Sequence, residues 1–254
     1  MQQKKELASN PGIYGRGAAI PFVNVTIAYI AVAGGKQTAK FVGRFVNTFR
    51  YNQDAPVRLI TICNGGPLDQ ETGWTLKSIG SEFFARSNDG WDIGGFCELA
   101  QSIDTDFLVC LGQSVYFHRP GWLNRLLSAR EKFGEGMYGI FSSNNVRPHL
   151  NTTAFAVDAK LLRSWPKVVT QDDRYQFEHG ENSFWRRVQG LHRTVCLVTW
   201  DGEWAPRFWR SPHNILWRGD QSNCLVWCVH TERYRDADEK TKATWAANAD
   251  RPYQ

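Results

Sequence analysis

The chain has 254 residues, 42% of them hydrophobic and 22% charged, a balance that excludes a largely disordered chain and fits one large α/β domain or two small ones. A formal net charge of +5 and a pI near 8.9 favour an anionic partner, such as a nucleoside diphosphate, a nucleic acid or an acidic surface, yet no block of like charge singles one out. No apolar run reaches membrane-spanning length and the opening MQQKKELASNPGIYGRG has no apolar core of leader-peptide length, so the expectation is a cytoplasmic protein without a membrane span.

The run FVNVTIAYIAVA (22–33) is rich in β-branched residues and stops at Gly34-Gly35, the pattern of a buried strand ending in a sharp turn. Phe41, Val42, Phe45, Val46 and Phe49 recur at helical spacing and predict an amphipathic helix over 37–51. VRLITICNGG (57–66) predicts a second buried strand with its own glycine turn. Strand, helix and strand make a β-α-β unit, whose right-handed crossover brings both carboxyl ends to one sheet edge. Ligands of such sheets bind beyond that edge, here at Ala33-Gly34-Gly35 and Asn64-Gly65-Gly66.

A helix near 70–80 and a short strand in SEFFARSNDG lead to a helix over WDIGGFCELAQSI. Its adjacent Gly94 and Gly95 either weaken the helix or let a ligand approach the backbone. A buried strand follows at Phe107–Leu111, then a helix over 120–133, strands in MYGIF and HLNTTAFAV, a short helix over 158–164, a helix from about 178 to 189, and a strand in TVCLVTW. The layer logic of this order is one continuous α/β domain with no internal repeat.

Cys63, Cys97, Cys110, Cys196, Cys224 and Cys228 sit mostly in apolar surroundings, as free buried thiols do. Cys224 and Cys228 with His230 have metal-ligand character, but no second pair completes a closed zinc site. Asn24-Val25-Thr26 and Asn151-Thr152-Thr153 match the glycosylation acceptor pattern and are read as chance in a cytoplasmic chain. The 11 Trp residues suit sugar or base contacts and serve equally as core filler. Trp200, Trp204, Trp209 and Trp217 beside Arg207, Arg210 and Arg218 carry both readings.

IAYIAVAGG, then NGG, then SNDGWDIGGFCELAQSIDTDFLVCL, then YFHRPGWLNRLLSA, then FEHGENSFWRRVQG resemble, in this order, the marks of the glycosyltransferase A fold of nucleotide-sugar transferases, in a family-two-like form. The likeness covers most of residues 22–200. It implies a single Rossmann-like α/β domain with a mostly parallel central sheet flanked by helices. An N-terminal tail (1–21) would precede a transferase-like domain (22–210), with a nucleotide half (22–117) and an acceptor half (118–210). Residues 211–254 would pack on that domain.

The implied activity is transfer of a sugar from a nucleotide-diphosphate donor to a hydroxyl acceptor, with inversion. Ala33, Gly34, Asn64, Arg86, Asp89, Gly112, Gln113 and Ser114 would bind the donor. His149, Asn151, Thr152, Trp200 and Trp204 would bind the acceptor, and Glu178 or Glu181, three residues apart on one helix face, would accept its proton. His179 is read as a solvent-facing residue or as a phosphate or acceptor contact.

The pattern departs from the family at the strand end where a metal-binding Asp-x-Asp belongs, which here is Gly112-Gln113-Ser114. A literal Asp104-Thr105-Asp106 precedes the strand instead, and five residues of strand span about 17 Å, which sets those carboxylates at the opposite end of the sheet. An amide and a hydroxyl are weak ligands for magnesium or manganese. The expectation is therefore a metal-independent transferase with no cofactor, in which Arg86, Arg119, Arg147 or His149 meets the diphosphate charge. Two other functions fit the same residues: a nucleotide- or glycan-binding protein without turnover, and a transferase that glycosylates a hydroxylated base in DNA.

Overall fold

The computed structural model describes residues 23–53, 55–143, 147–209 and 216–250. The expected tail (1–21), the boundary at 210–211 and Arg210 lie outside the described residues. β1 (Val25–Val32) turns Ile27, Tyr29 and Ala31 to one face and Ala28 and Ile30 to the other, and all five are buried. A strand buried on both faces belongs in a parallel sheet between two helical layers.

α1 (Thr38–Asn52) packs Val42, Phe45, Val46 and Phe49 onto the first face, and Phe45 stacks on Tyr29 with ring centroids 3.8 Å apart. β2 (Arg58–Asn64) pairs parallel with β1, Ile27 opposite Leu59. α2 (Gln70–Lys77) starts where the Asp69 side chain accepts the Thr72 N–H at 2.9 Å, a side-chain cap for an otherwise orphan donor. β3 (Glu82–Arg86) closes that side of the sheet, α3 (Trp91–Ser102) covers the second face, and β4 (Phe107–Leu111) returns parallel to β1 on its other side.

α4 (Trp122–Phe133) covers the first face. β5 (Gly136–Gly139) and the small pair β6 (Ser142–Ser143) and β7 (His149–Leu150) precede β8 (Ala154–Asp158), which lies antiparallel between β4 and β5. α5 (Ala159–Arg163), α6 (Gln171–His179) and α7 (Phe184–Gly190) build the second layer. β9 (Thr194–Val198) runs parallel to β5, and β10 (Glu203–Trp204) ends the eight-stranded sheet, in the order β10-β9-β5-β8-β4-β1-β2-β3. The expected architecture, one mostly parallel sheet between helical layers, is the one observed.

α8 (Val229–Asp236) and α9 (Glu239–Asp250) follow. Arg44 of α1 pairs with Glu232 of α8, and Tyr116 and Trp227 exchange backbone hydrogen bonds at 2.8 and 2.9 Å. No described helix is long and apolar enough to cross a membrane.

Two expected elements are divided. HLNTTAFAV is not one strand, because Asn151–Thr153 leaves the ladder: the Asn151 side chain accepts the Thr153 N–H at 2.9 Å and the Thr152 N–H goes to Glu178. The helix expected from about 178 to 189 is two. Thr170 and Asp173 form a capping box that starts α6 at Gln171, and Gly180 ends it. A Cβ on Gly180 would stand 2.4 Å from Gln176 Oε1. Glu178 thus lies at the end of a helix and Glu181 in the turn after it, so the two do not share a helix face.

Candidate functional site

The β3-β2-β1-β4 half of the sheet has the doubly wound order whose ligands bind beyond the strand ends where the winding reverses, between β1 and β4. At the end of β1 the Ala33 N–H donates to Asn64 O at 2.8 Å, and Gly34 turns at φ +67 with open space where a Cβ would project. Gly66, at φ +114 beyond β2, faces open space too. Beside it lies a hollow of about 270 Å³ lined by Pro67, Leu68, Trp74 and Phe83 among others.

At the end of β4, Gly112 donates to Thr153 O at 2.7 Å. Gln113 Nε2 donates to Thr38 Oγ1 at 2.8 Å, Thr38 Oγ1 donates to Val32 O, and the Tyr29 hydroxyl donates to Gln113 O. The Ser114 hydroxyl accepts the Val229 N–H at 3.4 Å and its carbonyl accepts from Arg44. These residues lock the β4 end onto α1 and α8. Asp106 accepts the Asn24 N–H and the Asp104 carbonyl accepts from the Asn24 amide, both ahead of β1 and β4 and remote from the ligand edge.

Arg86, buried at 8% exposure, donates to Glu98, to the Asn64 side-chain oxygen and to the Asp89 carbonyl at 2.8 to 2.9 Å. Asn64 in turn donates to Trp91 O, and Asp89 accepts from Ser87. Arg86, Asn64 and Asp89 therefore clamp the start of α3 over the ends of β2 and β3. The glycines that begin α3 serve the same clamp: a Cβ would stand 2.2 Å from Val168 O at Gly90 and 2.4 Å from Asp89 O at Gly94. The close backbone approach is to protein.

The cluster that stands out is His149, Glu178 and His179, whose ligand-type atoms lie within 4.8 Å of one another. β8 runs antiparallel to β4 with Ala154 opposite Leu111, so the Thr152 that precedes it sits at the ligand edge. Glu178 Oε1 accepts the Thr152 N–H at 3.0 Å and its hydroxyl at 3.1 Å. Glu178 Oε2 lies 3.4 Å from His179 Nε2, and the His149 and His179 rings meet edge-on at 4.3 Å. His149 Nδ1 donates to Arg147 O at 2.7 Å, which fixes the tautomer and leaves Nε2 as an acceptor.

Burial opposes ionisation of Glu178, but the His179 hydrogen bond, His149 and the Thr152 N–H outweigh it and bring the carboxyl down to about 2. Burial pushes the His149 imidazole below its ordinary value, against the pull of Glu178. Asp92, in the first turn of α3, pairs with Arg174 of α6 at 3.3 Å. Its carboxyl is pushed up by burial, with Arg174 opposing and Glu178 assisting. Two carboxylates on one edge are thus tuned in opposite directions.

The other expected site residues are elsewhere or otherwise engaged. Glu181 is exposed. Trp200 Nε1 donates to Cys224 O and Trp204 Nε1 to Thr199 Oγ1, while Arg119 lies over the Trp200 ring at 3.6 Å. Cys224 and Cys228 are buried, and burial raises the Cys228 thiol to about 11 and the Cys224 thiol further. His179 is not solvent-facing; its side chain is 15% exposed. Asp92 escaped the sequence reading, although a first-turn carboxylate behind Asn88-Asp89-Gly90 was the available signal.

No protein-family model and no curated protein matches the sequence. Among solved structures, a cytidylyltransferase from Leptospira borgpetersenii overlaps at TM-score 0.45 and 14% identity, over 62% of this chain and 69% of that one. A mannosyltransferase from Pyrobaculum calidifontis in complex with GDP-Man and Mn2+ overlaps at 0.45 and 8%, over 61% of this chain and 51% of that one. A glucosyl-3-phosphoglycerate synthase from Mycobacterium tuberculosis with Mn2+, UDP and glucosyl-3-phosphoglycerate overlaps at 0.44 and 12%, over 61% and 66%. This chain thus spans about half the length of the mannosyltransferase.

The expectation of a metal-independent protein without cofactor is corrected here. The missing Asp-x-Asp does not leave the edge without metal ligands, because β7 and the end of α6 bring two imidazoles and a carboxylate together.

Proposed function

We propose that this chain transfers a glycosyl group from a nucleoside-diphosphate sugar to a hydroxyl acceptor. The observation that carries the reading is the convergence, on one edge of a doubly wound sheet, of open glycine turns with a partly buried His–Glu–His set and a second carboxylate of raised pKa. The aromatic-rimmed hollow beside Gly66 suits a nucleobase. His149, Glu178 and His179 fit a divalent ion, which when bound supplies the positive charge that a departing diphosphate needs.

A carboxyl near 2 is a poor proton acceptor, and a raised one is a better one. Asp92 is therefore assigned as the base and Glu178 as a holding carboxylate. The C1–O bond to the diphosphate breaks as the acceptor oxygen bonds to C1, the acceptor proton passes to Asp92, and the nucleoside diphosphate leaves. A single displacement of this kind inverts C1.

The test is thermal melting with UDP, GDP, CDP and ADP, each with and without Mn2+, followed by release of nucleoside diphosphate from the matching sugar donors. A ligand at 100 times its Kd stabilises by about 2.7 kcal/mol, so at least one nucleotide is expected to raise Tm measurably. Asp92→Asn is expected to lower turnover about 100-fold or more with donor binding retained. If none of the four nucleotides moves Tm under either condition, the reading is wrong. Binding without release of diphosphate identifies a non-catalytic binder.

A second reading rests on a different patch. Arg119 covers Trp200, His118 stacks on Trp227 at 4.4 Å, and Arg235 lies over the far side of the Trp227 patch at 5.0 Å. Cations beside aromatic faces suit single-stranded nucleic acid, and salt-sensitive retention on DNA would favour a nucleic-acid acceptor.

A further inference from the structure

We propose that His149, Glu178 and His179 form a binding site for a borderline transition-metal ion of the Co2+ or Zn2+ class, in preference to Mg2+. The inference rests on reading this edge as the donor site only for the ion's purpose; the site itself stands on its donor atoms.

His149 is 2% exposed. With Nδ1 committed to the Arg147 carbonyl, its Nε2 presents a lone pair, and no hydrogen bond to that atom is found among the described residues. His179 Nδ1 is buried and likewise has no partner among the described residues. If the three side chains were only a hydrogen-bonded triad, the buried His179 Nδ1 would stay unsatisfied and the His149 Nε2 lone pair unused beside the Glu178 carboxylate. Native interiors rarely tolerate that. A cation would use the His149 lone pair together with the Glu178 carboxylate and a His179 nitrogen.

The surroundings are those of a ligand set already aimed. The backbone carbonyl on His149 Nδ1 is the kind of outer partner that fixes a ligating imidazole. Thr152 grips Glu178 by Oε1 through two donors, which leaves Oε2 facing the histidines. Donor atoms at about 2.0 to 2.2 Å from a common ion lie roughly 3 to 4 Å from each other. Atoms already within 4.8 Å need only a short contraction, which side-chain torsions of the two histidines provide.

The donor set decides the ion. Mg2+ prefers oxygen ligands in near-ideal octahedral geometry. Two imidazole nitrogens with one carboxylate match the borderline ions instead, and three protein ligands leave positions open for a substrate. The donor atoms lie on β7 and at the end of α6.

The experiment uses the full chain, stripped with chelator and exhaustively dialysed, and titrated with Co2+, Zn2+, Mn2+ and Mg2+ by calorimetry and, for Co2+, by visible absorption. One ion per chain is expected, with Zn2+ and Co2+ bound at least about 100-fold more tightly than Mg2+. His149→Ala and His179→Ala are each expected to weaken binding by about 100-fold or more. Competition on the unaltered protein, with Zn2+ displacing Co2+ and its absorption, keeps the test decisive if a variant fails to fold.

Failure to retain Zn2+ or Co2+, equal affinity for Mg2+, or binding unchanged in a folded His149→Ala would each overturn the proposal. The two readings fail separately. Metal bound through these residues with no nucleotide affinity removes the transferase reading alone. Nucleotide binding and turnover with no ion at this cluster removes the metal site alone.

Discussion

Glu178→Gln isolates the charge at the centre of the cluster, because it keeps the side chain's size and the oxygen that accepts from Thr152. In the folded chain the Glu178 carboxyl stands at about 2 against an ordinary value of 4.5. Its folded pKa is depressed, so its stabilisation is complete above the unfolded value and is lost as pH falls toward the folded one. The side chain is only 11% exposed, which keeps solvent screening small. The gap between 4.5 and about 2 corresponds to about 3 kcal/mol at neutral pH, of which about 2 kcal/mol is gone by pH 3.

His149, whose imidazole burial pushes below its ordinary value, is common to the unaltered chain and the variant. A histidine with a depressed folded pKa stabilises fully above its unfolded value of about 6.5 and loses that contribution as pH falls below it. Because both proteins keep His149, the difference between them from pH 5 to pH 3 reads mainly Glu178. The assay is urea unfolding in excess chelator, followed by tryptophan fluorescence, for the unaltered chain and Glu178→Gln. Between pH 5 and pH 3 the unaltered chain is expected to lose about 2 kcal/mol more than the variant, with m unchanged. Equal losses within about 0.5 kcal/mol would show that Glu178 is not held ionised by its neighbours.

Gly94→Ala places a Cβ 2.4 Å from Asp89 O and 2.9 Å from Val168 O. An overlap with fixed backbone exceeds the helix-propensity gain of about 1 kcal/mol, so a net loss of about 2 kcal/mol is expected in urea melts, and net stabilisation would refute the close packing of α3. Arg86→Met removes the donors on Asn64, Asp89 and Glu98 and is expected to cost about 3 to 5 kcal/mol. A variant that kept full stability and lost only nucleotide affinity would restore Arg86 as a donor contact.

The first half of the fold was legible because its signals are local. The spacing of Val42, Phe45, Val46 and Phe49 makes α1, and apolar runs closed by glycine make β1 and β2. Thr170 and Asp173 also carried a local signal, the start of α6. The helix expected from about 178 to 189 starts after that signal and runs across Gly180, which makes two helices. Contacts between distant segments left no such mark. Arg86 looks like a free cation beside a ligand edge until Glu98 and Asn64 are brought against it. Thr152 looks like a strand residue until Glu178 takes its N–H. The metal question failed for the same reason: an Asp-x-Asp is a contiguous motif, whereas His149 and Glu178-His179 meet only through folding.

The altered end of β4 and the cluster are connected parts of one edge. A Cβ at position 112 would stand 3.0 Å from Thr153 O, so an acidic residue there would press on the segment that carries Thr152. With glycine present, the Gly112 N–H holds Thr153 O at 2.7 Å, and that grip sets Thr152 to receive Glu178. Gln113 and Ser114 meanwhile tie the strand end to α1 and α8. The Gly112-Gln113-Ser114 end of β4 therefore braces the segment that receives Glu178. A carboxylate at position 112 would disturb that brace and, through Thr152, the cluster.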